Sequence, residues 1–411
     1  MFQVSSFVFD TGERYCLMVS KDSGLPVYYP NLYLMTQLRN RSVSSSTLVA
    51  EAAHLAGLYS FCKKQEIDLE SRLKNQECFS VQEIDHLRDF CQTNHTKSNA
   101  GTPVVNISNL RKRIEGVCLG TQYARLTSIA NYLNWLPLVL VTSPSDTFQA
   151  NLKRMVAQVR ARRPKKKSRN PKDRSINDDQ IEALLEIVRP GSELNPFGRK
   201  VQARNRLIII LLLYLGIRRG ELLNIRIQDI DFNSNHLAIV RRADDKADVR
   251  VQSPNAKTQS RRLPLSDVLM KELHSYITKD RRSVPGAGKH DYLMVTHKEG
   301  SSSGMPLSIS GYQKVVSDLR SQFPELSEIT GHMLRHTWNR NFSEKLDAMT
   351  DSPSPEKQEQ VRSFLMGWKQ GSGTAATYNR RFVEQAGHKA SLAMQERAGV
   401  RAPKEGDHGE G

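Results

Sequence analysis

Residues 332–336 read HMLRH, two histidines one helical turn apart with an arginine between them. Side chains at i and i+4 share a helix face. The pair could hold a metal, or His332 and Arg335 could hold a phosphate. A zinc-hydrolase box needs a glutamate after the first histidine as general base. Here that place is Met333, and the cation Arg335 would stand beside the metal, so no metal and no other cofactor is expected. Phosphate has further donors. In "LGIRRGELLNIRIQDIDF" (215–232), Arg218 and Arg219 follow an apolar run at a Gly-marked break, with Glu221 three residues beyond Arg218. A guanidinium presents a planar fork that matches two phosphate oxygens. Taken alone, such an arginine reads more readily as a surface residue paired to Glu221. Lys257, in the turn of "NAKTQSRRLPL", reads alone as an exposed hairpin lysine. Trp368 and Tyr378, in "FLMGWKQGSGTAATYNRRF", read singly as ordinary aromatics. Gly371 and Gly373 between them give a flexible approach to Tyr378.

These residues must be positioned by regular elements. The apolar run "LIIILLLYLGI" (207–217) holds eleven residues. A membrane span needs ~20, so this is a buried core helix, expected over 201–215. Asn177 with Gln180 caps a helix before it. "HLAIVRR" and "RRLPL" are short strands around a turn-rich "SPNAKTQS". Helices return at 266–279, 308–322, 332–345, 355–366 and 375–396. Ahead of this region, 44–160 is all-helical, with a Ser/Thr cap at 44–47 and a capping box from Ser80 to Glu83. Residues 1–43 contain β-like and turn-like pieces of uncertain role. The tail 397–411 is polar, Gly-rich and expected to be disordered.

The chain has 411 residues and a net charge of +17, with 38% hydrophobic and 25% charged residues. That suits a globular protein of two or three domains whose partner is a polyanion, most commonly nucleic acid. Residues 153–174 hold eleven Lys and Arg against one Asp. Pro164 and Pro171 interrupt any helix there, so 161–174 is an extended basic linker. Arg162, Arg163, Lys165, Lys166 and Lys167 are its candidates for DNA-backbone contacts. The five cysteines are odd in number and lack C-x-x-C spacing, which fits a reducing cytoplasm rather than a disulfide framework. No signal peptide and no membrane association are expected.

The order Arg, Lys, His-x-x-Arg, Trp, Tyr resembles the catalytic domain of the tyrosine recombinase (phage integrase) family over roughly residues 175–390. The matching pieces are Gly216, Arg218 and Glu221; Lys257 before "RRLPL"; the box His332, Arg335, His336; "LMGW" with Trp368; and the Thr-rich approach to Tyr378. Trp368 stands where histidine is commoner in that family; both donate through a ring N–H. The resemblance implies a mainly α fold with a small antiparallel sheet in the catalytic domain, 175–396. With the helical core-binding domain 44–160 it would form a clamp on double-stranded DNA. It implies a site-specific recombinase or integrase of a mobile element or chromosomal system, independent of metal and ATP. Tyr378 would be the nucleophile, Arg218 and Arg335 would bind the phosphate oxygens, and His332 would share the tyrosine proton. Trp368 would donate a hydrogen bond, Lys257 would protonate the leaving oxygen, and Glu221 would orient Arg218. Assembly as a tetramer on two DNA sites is implied too, with docking of the segment after Tyr378 onto a neighbouring subunit and room for an accessory DNA-bending or directionality factor. The expected location is the cytoplasm, on the nucleoid in a prokaryote. A type IB topoisomerase shares this chemistry, and a catalytically silent DNA-binding regulator shares the fold.

Overall fold

The computed structural model describes residues 1–94, 116–165, 174–242, 244–254, 258–350, 353–369, 391, 392 and 394. They fall into two compact units. One comprises 1–172 together with 244–253; the other comprises 173–243 and 254–411.

The first unit opens with an antiparallel hairpin, β1 (Phe2–Val8) and β2 (Arg14–Ser20), in which Val4 faces Met18 and Ser6 faces Cys16. Six α-helices follow among the described residues: α1 (Tyr28–Tyr33), α2 (Ser45–Lys64), α3 (Leu69–Lys74), α4 (Val81–Gln92), α5 (Leu119–Leu140) and α6 (Asp146–Ala161). The Ser80–Glu83 capping box starts α4, each side chain taking the other's backbone N–H. Met18 of the hairpin lies in one core with Leu55, Leu58 and Phe61 of α2, Leu87 of α4, and Leu133 and Leu136 of α5. Tyr15 and Cys16 pack on Leu48 and Ala52 of α2. Residues 1–43 are therefore part of the helical unit's core, and that unit carries a sheet as well as helices.

The segment 244–253 reaches this unit from far along the chain, and Arg14 receives it. The buried Arg14 guanidinium donates to the carbonyls of Asp248 at 2.6 Å and Gly12 at 2.8 Å. It also faces the Asp248 carboxylate at 3.5 Å, while Arg250 pairs with that carboxylate at 2.7 Å. Gly12 has φ +89°, and a Cβ there would stand 2.3 Å from the Asp244 carbonyl oxygen. The turn must be glycine for the segment to pass.

The second unit is built on α8 (Arg199–Leu215), in which Leu207 to Leu213 are all buried. Fully burying each such side chain contributes ~1.5–3 kcal/mol over leaving it exposed. A stretch of helix apolar on every side, as 207–213 is, belongs in the middle of a core. Around it lie α7 (Asp178–Ile187), α9 (Arg219–Leu223), α10 (Asp267–Ser275), α11 (Ile309–Gln322), α12 (Gly331–Asp347) and α13 (Pro355–Met366). Asn177 and Gln180 form the capping box of α7. A three-stranded antiparallel sheet runs in the order β3 (Ile230–Asp231), β4 (His236–Ile239), β5 (Arg261–Pro264), with Leu237 opposite both Ile230 and Leu263. α10 ends at Ser275, where a π-helical turn, Tyr276–Arg281, takes over. The helix expected over 375–396 lies almost wholly outside the described residues. Among the described residues no helix is long and apolar enough to cross a membrane.

Candidate active site

Six of the residues singled out in the sequence, Arg218, Glu221, His332, Arg335, His336 and Trp368, meet in the second unit. The helix α8 ends at Gly216, which adopts φ +58°; a Cβ there would come within 2.9 Å of the Trp338 ring. This left-handed cap turns the chain into Arg218 at the head of α9. Glu221 takes the Arg218 backbone N–H at 2.9 Å, and the Arg218 guanidinium stands 3.7 Å from the same carboxylate with its side chain 36% exposed. Glu221 itself is buried. It also accepts from Thr258 Oγ1 and from both terminal nitrogens of Arg261, at 2.9 and 3.3 Å. Burial pushes the Glu221 carboxyl up, but the hydrogen bond and charge of Arg261, then Thr258 and the Arg218 N–H, hold it below the usual range.

The helix α12 starts at Gly331, its Thr330 cap accepting from the Met333 N–H at 3.1 Å. His332, Arg335 and His336 therefore occupy i, i+3 and i+4 on one face. The two imidazole rings meet edge to face at 4.5 Å. His332 is reached by solvent, yet its pKa is held below that of an ordinary imidazole. Desolvation by the surrounding packing comes first, then the charges of Arg335, Arg174 and Arg218. A neutral imidazole in that setting can accept a proton near pH 7.

Arg335 is buried and bridges two distant segments. It donates from Nη1 to the Gly216 carbonyl at 2.5 Å and from Nη2 to the Met366 carbonyl at 3.1 Å. Its guanidinium lies over the Trp368 ring, 5.5 Å from the centroid. Trp368 is buried with Met366, against the partly buried Trp338. Its place follows from the way α13 ends. The last four carbonyls of a helix have no partner within it, and here each is met. Trp368 N–H donates to Ser363 at 2.9 Å and Gly367 N–H to Phe364 at 3.1 Å, through a left-handed Gly367 at φ +64°. Leu365 takes Arg261 Nε at 2.6 Å, and Met366 takes Arg335. The Gly367 carbonyl then accepts from the Gln259 N–H at 3.1 Å.

Lys257 and Tyr378 lie outside the described residues, as do Lys166 and Lys167. Of the remaining linker candidates, all in the first unit, Lys165 is exposed. Arg162 bonds Asp85 at 2.9 Å, and Arg163 lies over the Tyr123 ring at 4.9 Å. Four residues absent from the sequence reading join the site: Arg174, Thr258, Arg261 and Trp338. Arg261 had a signal, because it shares strand parity with the inward-facing Leu263. Among the described residues no group of three or more His, Cys, Asp or Glu side chains is placed to hold a metal ion.

Residues 174–350 match the sequence model of a family described as the phage integrase family. The tyrosine recombinase XerC of Staphylococcus aureus (strain USA300) is 27% identical over 161 residues, 39% of this chain and 45% of that protein. XerC of Staphylococcus epidermidis (strain ATCC 12228 / FDA PCI 1200) is 26% identical over the same shares. The chain thus spans less than half the length of the curated relatives it matches. Among solved structures, the integrase of the Tn1549 transposon in complex with transposon right end DNA aligns over 91% of this chain and 100% of that one, at 16% identity and a TM-score of 0.48.

Proposed function

Starting from a chain whose residues 174–350 form a phage integrase family domain, we propose that the protein is a site-specific DNA recombinase acting through a 3′-phosphotyrosyl intermediate. The observation that carries this reading is the meeting of Arg218, His332, Arg335 and Trp368, from segments far apart in sequence, around one solvent-reached imidazole.

The chemistry asks for what those residues offer. A tyrosine hydroxyl, pKa ~10, is neutral at pH 7, and attack on a phosphodiester concentrates negative charge on the non-bridging oxygens. Arg218 and Arg335 bind those oxygens. His332, kept neutral by its surroundings, takes or shares the proton of Tyr378. Trp368 donates its ring N–H and closes the site against water. Lys257 gives a proton to the departing 5′ oxygen, so both ends of the displacement are served. The phosphotyrosyl bond keeps the energy of the ester, and a 5′-hydroxyl of another strand can reclaim it. The partner is duplex DNA, on which four copies pair two sites in the cytoplasm. An accessory bending or directionality factor belongs to the same reading, as does docking of the segment after Tyr378 on a neighbouring subunit. The linker residues Arg162, Arg163, Lys165, Lys166 and Lys167 add backbone contacts.

The test is covalent capture. The protein is incubated in EDTA with fragments of the DNA that flanks its own gene, denatured, and digested with nuclease and trypsin. A nucleotide adduct on the peptide QGSGTAATYNR, residues 370–380, is expected, and the trapped DNA identifies the site. Bound but uncut DNA with an unmodified peptide would refute the catalytic reading and favour a silent regulator.

A further inference from the structure

We propose that Arg261 is a positioning residue for this site, neutralising Glu221 so that the Arg218 guanidinium is not drawn onto it. The inference rests on the proposed function. Arg261 points into the unit from β5, with its side chain 1% exposed. It spends Nη1 and Nη2 on the two oxygens of Glu221, at 3.3 and 2.9 Å, and Nε on the Leu365 carbonyl at 2.6 Å. One guanidinium therefore ties together the Arg218 segment, the strand that follows Lys257, and the LMGW box.

Two details show that the neighbourhood is shaped around it. Gly367 has φ +64°, and a Cβ there would stand 2.6 Å from Arg261 Nη1, so the glycine of the box is the space the arginine needs. The planar fork of Arg261 covers both Glu221 oxygens, a geometry that lysine cannot reproduce. Arg218, by contrast, sits 3.7 Å from the carboxylate and is 36% exposed. Without Arg261 the buried carboxylate would still need a counter-charge. The nearest guanidinium is that of Arg218, drawn inward and away from a phosphate.

The experiment compares single-turnover cleavage of two duplexes of the site recovered by covalent capture. One has the natural scissile phosphodiester, the other a methylphosphonate there, which lacks the charge a guanidinium would neutralise. Arg261→Met is expected to slow the natural duplex about 10²-fold and the methylphosphonate less than about threefold, with DNA binding unchanged. Arg218→Ala should show the same split. The double variant Arg261→Met/Glu221→Gln removes both buried charges. It is expected to fold and to cleave the natural duplex within about tenfold of the parent, since nothing then captures Arg218. Equal slowing of both duplexes by Arg261→Met, or no slowing, would overturn the proposal. So would a double variant as impaired as Arg218→Ala, which decides the matter even if the single variant does not fold. If Arg218→Ala itself shows no split, the phosphate role of Arg218 in the proposed function fails first, and the proposal falls with it.

Discussion

Replacing Arg14 with alanine should loosen the first unit by an amount that the contacts allow to be worked out. The side chain is 4% exposed and meets the Asp248 carboxylate, 1% exposed, at 3.5 Å. It also donates to the backbone oxygens of Asp248, Gly12 and Arg250 at 2.6, 2.8 and 3.3 Å. Breaking a buried charge pair from one side costs ~3–5 kcal/mol. Arg250 stays on Asp248 at 2.7 Å, which keeps the charge term toward the low end. The carbonyls left without a donor add ~1–3 kcal/mol. A total of about 4 kcal/mol corresponds to roughly 10²–10³ in the population of the opened hairpin. Cys16, two residues along β2, is a built-in reporter: it is wholly buried, and burial pushes its thiol up to about 11. Alkylation under native conditions, resolved by peptide mass, should accelerate about 10²–10³-fold at Cys16 and not at all at the exposed Cys118. Arg39→Ala, at a partly exposed pair with Glu13, should leave the Cys16 rate nearly unchanged. An acceleration below about tenfold in Arg14→Ala would mean that water or Arg250 replaces the guanidinium, and the account of how 244–253 is held would be wrong.

Tyr378→Phe should abolish the covalent adduct while DNA binding, read by gel shift, stays within a factor of about two. Changing Lys165, Lys166 and Lys167 to glutamine should flatten the slope of log K against log[salt] by ~0.9 per lost phosphate contact; an unaltered slope would make the linker a plain tether. The His332 ring, followed by NMR, should titrate below an ordinary histidine, and Arg218→Ala should raise it by removing one of three cationic neighbours. Because its folded pKa is lowered, the unfolded chain binds the proton more readily; the stability linked to this histidine is complete above ~6.5 and is lost as pH falls. His332→Gln should therefore flatten the acid limb of the unfolding curve. Gly367→Ala, which forces a side chain into φ +64° and against Arg261, should cost about 1–3 kcal/mol, read as a lower unfolding midpoint.

Local rules were legible wherever the partner was near in sequence. The boxes at Ser80–Glu83 and Asn177–Gln180 need only four residues each, and the all-apolar run of α8 announces its own burial. The His-x-x-Arg face of α12 follows from helical spacing alone. What stayed hidden depends on distant partners. Nothing near Arg162 signals Asp85, which lies 77 residues earlier. The allegiance of 244–253 to the hairpin depends on Arg14, 234 residues before Asp248. β3 is two residues long, too short for any alternation to show. The role of Arg261 needed both the strand parity, which was present, and the end of α13, which was not.

The bridge made by Arg335 sets a schedule for the newborn protein. Its two carbonyl partners lie 119 residues before it, at Gly216, and 31 after it, at Met366. Contacts of such sequence separation close late, because the loop entropy must be met before they stabilise anything. During synthesis at ~5–20 residues per second the earlier unit can compact first. The site is left without its Met366 anchor and without Trp368 until synthesis has passed both, more than 30 residues beyond Arg335. An unfinished chain thus carries Arg218 and His332 well before the bridge that joins Gly216 to Met366 can close, and a chain truncated before residue 366 would lack both that bridge and Trp368.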